Sequence, residues 1–151
     1  MEKQPNSRMC FACGIENPIG LKLKFYSDDD GRCIARFRPR PEHQGYPGRL
    51  HGGIISTLLD ETMGRVLTLH NVWAVTGRLE IQFRKPVPLD QELIIIGELI
   101  RHRSRSYEAR GEIQLPDGTV LAEGSGLYAR IPEELIEEAR SALDFWQVVP
   151  D

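Results

Sequence analysis

Between positions 52 and 70 the apolar residues recur at helical spacing, and on either side of that stretch they recur at every second position. Ile54, Ile55, Leu58, Leu59, Met63, Val66 and Leu67 form a wide stripe, the mark of a helix buried over much of its circumference. The stretch opens on His51-Gly52-Gly53 and closes near His70-Asn71, so the pattern predicts a helix over 52–69. Before it, LKLKFYS and CIARFRP alternate around the turn DDDGR and predict a hairpin. After it, VTGRLEIQFRKP places Val75, Leu79, Ile81 and Phe83 on one face and Thr76, Arg78, Glu80, Gln82 and Arg84 on the other. ELIIIGELIRHR, RSYEARGEIQL and TVLAEGSGLYAR predict three further strands, the last two joined by a PDG turn. PEELIEEARSALDFW predicts a terminal helix over 132–146, with Pro132 in its first turn. Residues 1–20, with CFACGIENPIG, read as an irregular, turn-rich arm. One helix inserted in an otherwise antiparallel run predicts a single α+β domain over 1–151, its antiparallel sheet wrapped around one long central helix.

The helix carries the first candidate chemistry. On a wheel of about 100° per residue, Gly53, Ser56, Thr57 and Gly64 fall within about 60° of Asp60. A solvated stripe favours good helix formers such as Lys, Glu and Gln over Gly and Thr, so this narrow face is expected to admit a ligand or a partner backbone. His51-Gly52-Gly53 bares the first N–H groups of the helix, which suit a developing oxyanion. Asp60 then reads as a base or nucleophile acting on a carbonyl held at the helix mouth. Glu61, about 100° away on the wheel, is a second candidate carboxylate.

Composition narrows the classes. With 151 residues, 40% hydrophobic and 27% charged, the chain reads as one globular domain, and its net charge of −3 gives no overall pull toward nucleic acid. The polar start MEKQPNSRMC lacks the apolar core of a signal peptide, and the ELIIIGELI run is too short for a membrane helix. A cytoplasmic address without membrane or nucleic-acid partners is the expectation. Three cysteines, Cys10, Cys13 and Cys33, argue against a disulfide framework.

HGGIISTLLDETMG, preceded by GYPG and followed by AVTGRLEIQFRKPVPLD, resembles the hotdog-fold acyl-CoA thioesterases of the phenylacetate-degradation (PaaI-type) branch. The arm CFACGIENPIGLKLKF is similar to the start of many members, and the likeness runs from about Cys10 to Arg130. The resemblance implies a hotdog fold and hydrolysis of an acyl-CoA thioester to free acid and CoA. It implies Asp60 as general base or nucleophile, Gly52 as the N–H donor that polarises the carbonyl with Gly53 beside it, and His51 as a residue positioning turn and substrate. Thr76 matches a Ser/Thr position near the nucleophilic water. The active sites are expected between subunits of a homodimer or tetramer, Asp60 of one chain working with Thr76 and Gly77 of the other. Relatives carry an Asn six residues before the His; here that position is Gly45, and Gln44 beside it is a candidate replacement.

Arg101, Arg103 and Arg105 crowd a strand-to-strand turn and are candidates for the phosphates of CoA, against a reading as a solvated, aggregation-resistant edge. Arg84 and Lys85 are a second set. Cys10 and Cys13 form C-x-x-C and could join Cys33 and His43 around zinc. Irregular spacing favours simple packing of the arm instead, so no metal and no cofactor are expected. Neither G-x-G-x-x-G nor a P-loop pattern occurs. A non-catalytic acyl-CoA-binding module is the rival of another class. A hotdog hydratase/dehydratase ranks lower, because no D-x-N-x-x-x-H-type run is present.

Overall fold

The computed structural model describes residues 1–151. The strands are β1 (Glu2–Lys3), β2 (Phe25–Ser27), β3 (Cys33–Phe37), β4 (Ala74–Phe83), β5 (Leu93–His102), β6 (Ser106–Gln114) and β7 (Val120–Arg130). They form one antiparallel sheet in the order β1-β2-β3-β5-β6-β7-β4. Helix α1 (Gly52–Arg65) lies across it and continues as a 3-10 turn over Val66–His70. Asn71, left-handed at φ 53°, ends that turn where the sequence pattern stops.

The predicted stripe is the one that is buried. Leu58, Leu59, Met63 and Val66 are fully enclosed with Phe25, Ala35, Leu93, Ile95, Ile113 and Ala122 in one core. Each such side chain contributes on the order of 1.5–3 kcal/mol on leaving water. Close approach of α1 to the sheet rests on a row of three paired glycines, Gly97, Gly111 and Gly124. A Cβ at Gly97 would lie 2.7 Å from the Thr62 carbonyl oxygen, and one at Gly111 would lie 3.0 Å from Met63 Cγ.

The structure departs from the sequence pattern in four places. LKLKFYS forms a ladder only over Phe25–Ser27: Lys22 adopts φ 54°, and the Leu21 and Leu23 N–H groups donate to Phe11 and Ala12 of the arm. The arm is therefore not a loose tail. It contributes β1, and Asn6 is buried with its amide donating to the Cys13 and Leu23 carbonyls. Helix α2 covers only Glu133–Leu143 and buries none of its residues; Pro132 precedes it, and Trp146 lies beyond it against Trp73 and the Arg65 guanidinium.

The fourth departure matters most for the site. A bulge interrupts β4 between Thr76 and Arg78. One extra residue reverses the face of everything before it. Thr76 pairs with Tyr128 and Leu79 with Gly126, so Thr76 joins the α1 side with Leu79, Ile81 and Phe83, instead of the opposite face that strict alternation predicts. β4 is also the outermost strand, which leaves Val75 55% and Phe83 57% exposed. No helix is long and apolar enough to cross a membrane.

Candidate active site

At the start of α1 the His51 side chain caps the helix: its Nδ1 accepts from the Gly53 N–H at 2.8 Å. Glycine at 53 lets the cap close undisturbed, because a Cβ there would sit 3.0 Å from Nδ1 and push against the ring. It also consumes the Gly53 donor, so of the two glycines only Gly52, the first helical residue, keeps an N–H without an intrahelical partner. Gly52 faces an open cleft of about 690 Å³, lined among others by Gly45, Tyr46, Arg49, His51, Phe83 and Lys85. Gly45 lies directly against His51, and a Cβ there would be 3.4 Å from the His51 ring. Gln44 does not line the cleft; its side-chain oxygen accepts from the Gly48 N–H and closes the preceding loop.

Asp60 stands two turns further along the helix. Its Oδ1 accepts from Thr76 Oγ1 at 2.9 Å and from Tyr128 Oη at 3.0 Å, and Tyr128 also reaches the Asp60 carbonyl. Burial, followed by the adjacent Asp60 charge, raises the Tyr128 phenol well above its ordinary value, so it remains a donor. Oδ2 of Asp60 accepts no hydrogen bond from the chain. Asp60 lines a cavity of about 220 Å³ with Trp73, Tyr128 and Trp146 on its walls. One carboxylate oxygen is thus held while the other is free to take a proton. The Tyr128 ring also lies beside Gly64, where a Cβ would make an ordinary contact at 3.5 Å. Tyr128 itself carries no signal in the sequence: its role follows from the β4–β7 register, which a one-dimensional pattern does not contain.

Two expectations change. Thr76, expected to meet Asp60 across a subunit boundary, meets it within one chain. Gly52 and Asp60, expected to share one carbonyl within the helix, do not: eight residues separate them by about 12 Å along the axis, and they line different cavities. Gly77 occupies the bulge beside Thr76, exposed, next to the Leu127 carbonyl. Glu61 lines the same cavity as Asp60, but it is engaged by Arg65. Its Oε1 accepts from Arg65 Nε at 3.3 Å, and burial raises its pKa.

Arg101, Arg103 and Arg105 are exposed on the β5–β6 hairpin, at the end of the sheet where Thr76 lies, and none pairs with an acid. They do not line the Asp60 cavity. Arg84 and Lys85 border the cleft at Gly52; Arg84 is held by Glu123 at 2.8 Å. The four-ligand zinc set is not assembled. His43 accepts from the Arg40 N–H through Nδ1, and Cys33 lies outside the Cys10–Cys13 cluster.

A sequence model of the Thioesterase superfamily matches residues 47–122, from just before the helix mouth into β7. The chain belongs to the thioesterase superfamily, as the HGG, Asp60 and T-G strand pattern implied. It is 28% identical over 135 residues to the bovine (Bos taurus) acyl-coenzyme A thioesterase THEM4, covering 88% of this chain and 56% of that protein. The chain thus spans just over half the length of that relative. Among solved structures it is similar to the thioesterase superfamily protein RHA08564, with TM-score 0.77 and 27% identity, covering 81% of this chain and 63% of that one. It is also similar in fold to a hypothetical thioesterase of Streptococcus pneumoniae TIGR4 solved with coenzyme A, with TM-score 0.68 and 22% identity, covering 72% and 85%. The PaaI protein of E. coli has TM-score 0.69 at 19% identity, covering 74% and 81%. The α+β hotdog architecture is shared with all three.

Proposed function

We propose that this protein hydrolyses an acyl-CoA thioester to the free acid and CoA, at composite sites formed when two copies pair along β4. The observation that carries this reading is the state of Asp60: Oδ1 is fixed by Thr76 and Tyr128, Oδ2 accepts no hydrogen bond from the chain, and the residue lines a cavity. What it lacks nearby is an oxyanion donor, and a second copy can supply one. β4 is a ten-residue edge strand whose outer edge is unpaired, and such edges invite pairing. A two-fold axis between Leu79 and Glu80 would set Thr76 of one copy opposite Phe83 of the other. The Phe83 ring packs against Gly52, and Thr76 holds Asp60. The free N–H at one helix mouth and the free carboxylate oxygen of the other copy would then face one substrate.

The chemistry follows from those two groups. Oδ2 of Asp60 removes a proton as water attacks the thioester carbon. The partner's Gly52 N–H stabilises the tetrahedral oxyanion. Collapse breaks the C–S bond, and the proton held on Asp60 passes to the departing CoA sulfur. No cofactor enters this sequence. Arg49 and Lys85 beside the Gly52 cleft, with Arg101, Arg103 and Arg105 at the opposite end of the sheet, supply cations for the CoA phosphates. The relative named as an acyl-coenzyme A thioesterase and the neighbour solved with coenzyme A support the substrate class.

The test is thiol release from a panel of aryl- and alkyl-CoAs with wild type and Asp60→Asn. The expected result is turnover that falls about 100-fold or more in the variant. CoA esters that bind both proteins but are turned over by neither would overturn the enzyme reading and leave a binding module.

A further inference from the structure

Beside the Asp60 cavity, which Glu61 also lines, the arm and α1 meet at a cluster that the proposed hydrolysis does not use. The ligand atoms of Cys10, Cys13 and Glu61 all lie within 4.8 Å of one another. From these residues we propose a divalent-metal site of zinc class, which staples the N-terminal arm to the central helix.

The geometry fits the coordination. Zinc–sulfur bonds of about 2.3 Å and zinc–oxygen bonds of about 2.0–2.2 Å at tetrahedral angles place ligand atoms roughly 3.5–3.8 Å apart. The cluster therefore needs only small rotamer adjustments to close on an ion. C-x-x-C lets two sulfurs of one turn bind side by side, and that turn is tight: the Gly14 N–H donates to the Cys10 carbonyl at 2.8 Å. A Cβ at Gly14 would lie 2.5 Å from the Cys10 backbone, so glycine is required there. Cys13 is 1% exposed and Cys10 is half-buried, so the site is shielded yet reachable.

The electrostatics fit as well. Two thiolates, one carboxylate and the Arg65 guanidinium sum to −2, which a divalent ion balances. Arg65 takes the place of an outer-sphere partner: its Nε donates to Glu61 Oε1, while Oε2 accepts no hydrogen bond and is available as a ligand. Hydrogen-bonded support of a ligating carboxylate is the usual arrangement at metal sites. Arg65 is itself held between the Phe25 and Trp146 rings at 4.5 and 4.6 Å and donates to the Pro5 carbonyl at 2.6 Å. Three protein donors leave a fourth position for water. Because hydrolysis needs only Asp60 and a backbone donor, the ion's role is structural, and the inference stands or falls separately from the thioesterase reading.

The experiment uses the fully reduced, chelator-stripped whole protein titrated anaerobically with Co²⁺ and then Zn²⁺. The expected result is one equivalent of cobalt with a thiolate-to-cobalt charge-transfer band, displaced by one equivalent of zinc. The Cys10→Ser/Cys13→Ser double variant loses the band. Loss of an outer-sphere partner alone weakens metal binding about 10–100-fold, so Glu61→Gln, which removes a direct donor, weakens zinc binding by at least about 100-fold. Because the double variant could loosen the arm, wild type carries its own readout: zinc protects Cys10 and Cys13 from alkylation, and chelator restores their reactivity. Absence of the band in wild type, unprotected alkylation in the presence of zinc, or equal zinc binding by the double variant would each overturn the proposal. So would a reduced protein that takes up no metal and forms only a Cys10–Cys13 disulfide in air.

Discussion

The two functional positions on α1, its start and Asp60 two turns on, are built on opposite principles. At Gly52 the chain offers a backbone donor on an open cleft, and the preceding side chain, His51, is turned inward as a cap. At Asp60 it offers a side-chain acceptor in a small cavity, held by two hydroxyl donors from β4 and β7. The first is oriented by helix termination and needs no tertiary partner. The other exists only because two distant strands bring Thr76 and Tyr128 to the same carboxylate oxygen. Each has what the other lacks, and about 12 Å of helix keeps them apart. On the proposed reading, a chain with a donor at the helix start and an acceptor two turns on, beside an unpaired edge strand, is half of each of two sites.

The sharpest way to break this comparison is complementation. Gly52→Pro removes the free N–H but is compatible with the first helical position, and His51 already has ψ 136°, which a following proline favours. We expect Gly52→Pro and Asp60→Asn homo-oligomers each to be nearly inactive. Dissociated, mixed in equal amounts and reassociated, they should recover about one quarter of wild-type activity, because half the dimers then carry one intact composite site. Steady-state rates of the mixture check this; a mixture as inactive as its components would place the site within one chain.

Smaller effects sharpen the picture at Asp60. Tyr128→Phe and Thr76→Ala each remove one donor from Oδ1. Hydrogen bonds to charged groups contribute about 1.5–3 kcal/mol, so each variant should lose roughly tenfold or more in kcat. The double variant should deviate from additivity because both donors act on one atom. Changes at the mouth, such as His51→Ala, should act through helix capping, with about 1 kcal/mol of stability lost as read by denaturant unfolding.

The glycine row that seats the helix predicts a stability effect without a chemical one. Gly97→Ala forces its methyl against the Thr62 carbonyl, and a loss of about 1–3 kcal/mol is expected in urea unfolding. A variant as stable as wild type would show that α1 can lift from the sheet without penalty.

The smallest expected effect is at His43, whose carbonyl accepts from the His51 N–H. Burial lowers the His43 pKa, and its Nδ1 must stay unprotonated to accept from the Arg40 N–H. The unfolded chain binds this proton near pH 6.5 and the folded chain only at lower pH. The stabilisation is therefore complete above about pH 6.5 and is lost as pH falls through the folded value. Unfolding at pH 7.5 and 5.5 should show a larger loss in wild type than in His43→Gln, in which that group no longer titrates.

Much of this protein can be read along the chain. The span of α1 through its 3-10 extension, the long strands β4 to β7, the β2–β3 turn, the capped glycine start and the presence of an acid nine residues after His51 are all local. They follow from the spacing of apolar residues and from what helix ends require, so neighbours in sequence suffice to determine them. What required tertiary structure is pairwise. The bulge at Gly77 turns Thr76 toward Asp60, against the parity of its strand, because register depends on β7 as much as on β4. Tyr128 became an anchor of the carboxylate, 68 residues from it in sequence, through the same pairing. The arm, which reads as irregular, is ordered by hydrogen bonds to residues 21 and 23, and its two cysteines find Glu61 rather than Cys33 and His43. Local periodicity states which face of an element is apolar; only the packed chain decides which residues from different elements meet, because that depends on sheet order, twist and single-residue shifts that leave hydrophobic spacing unchanged.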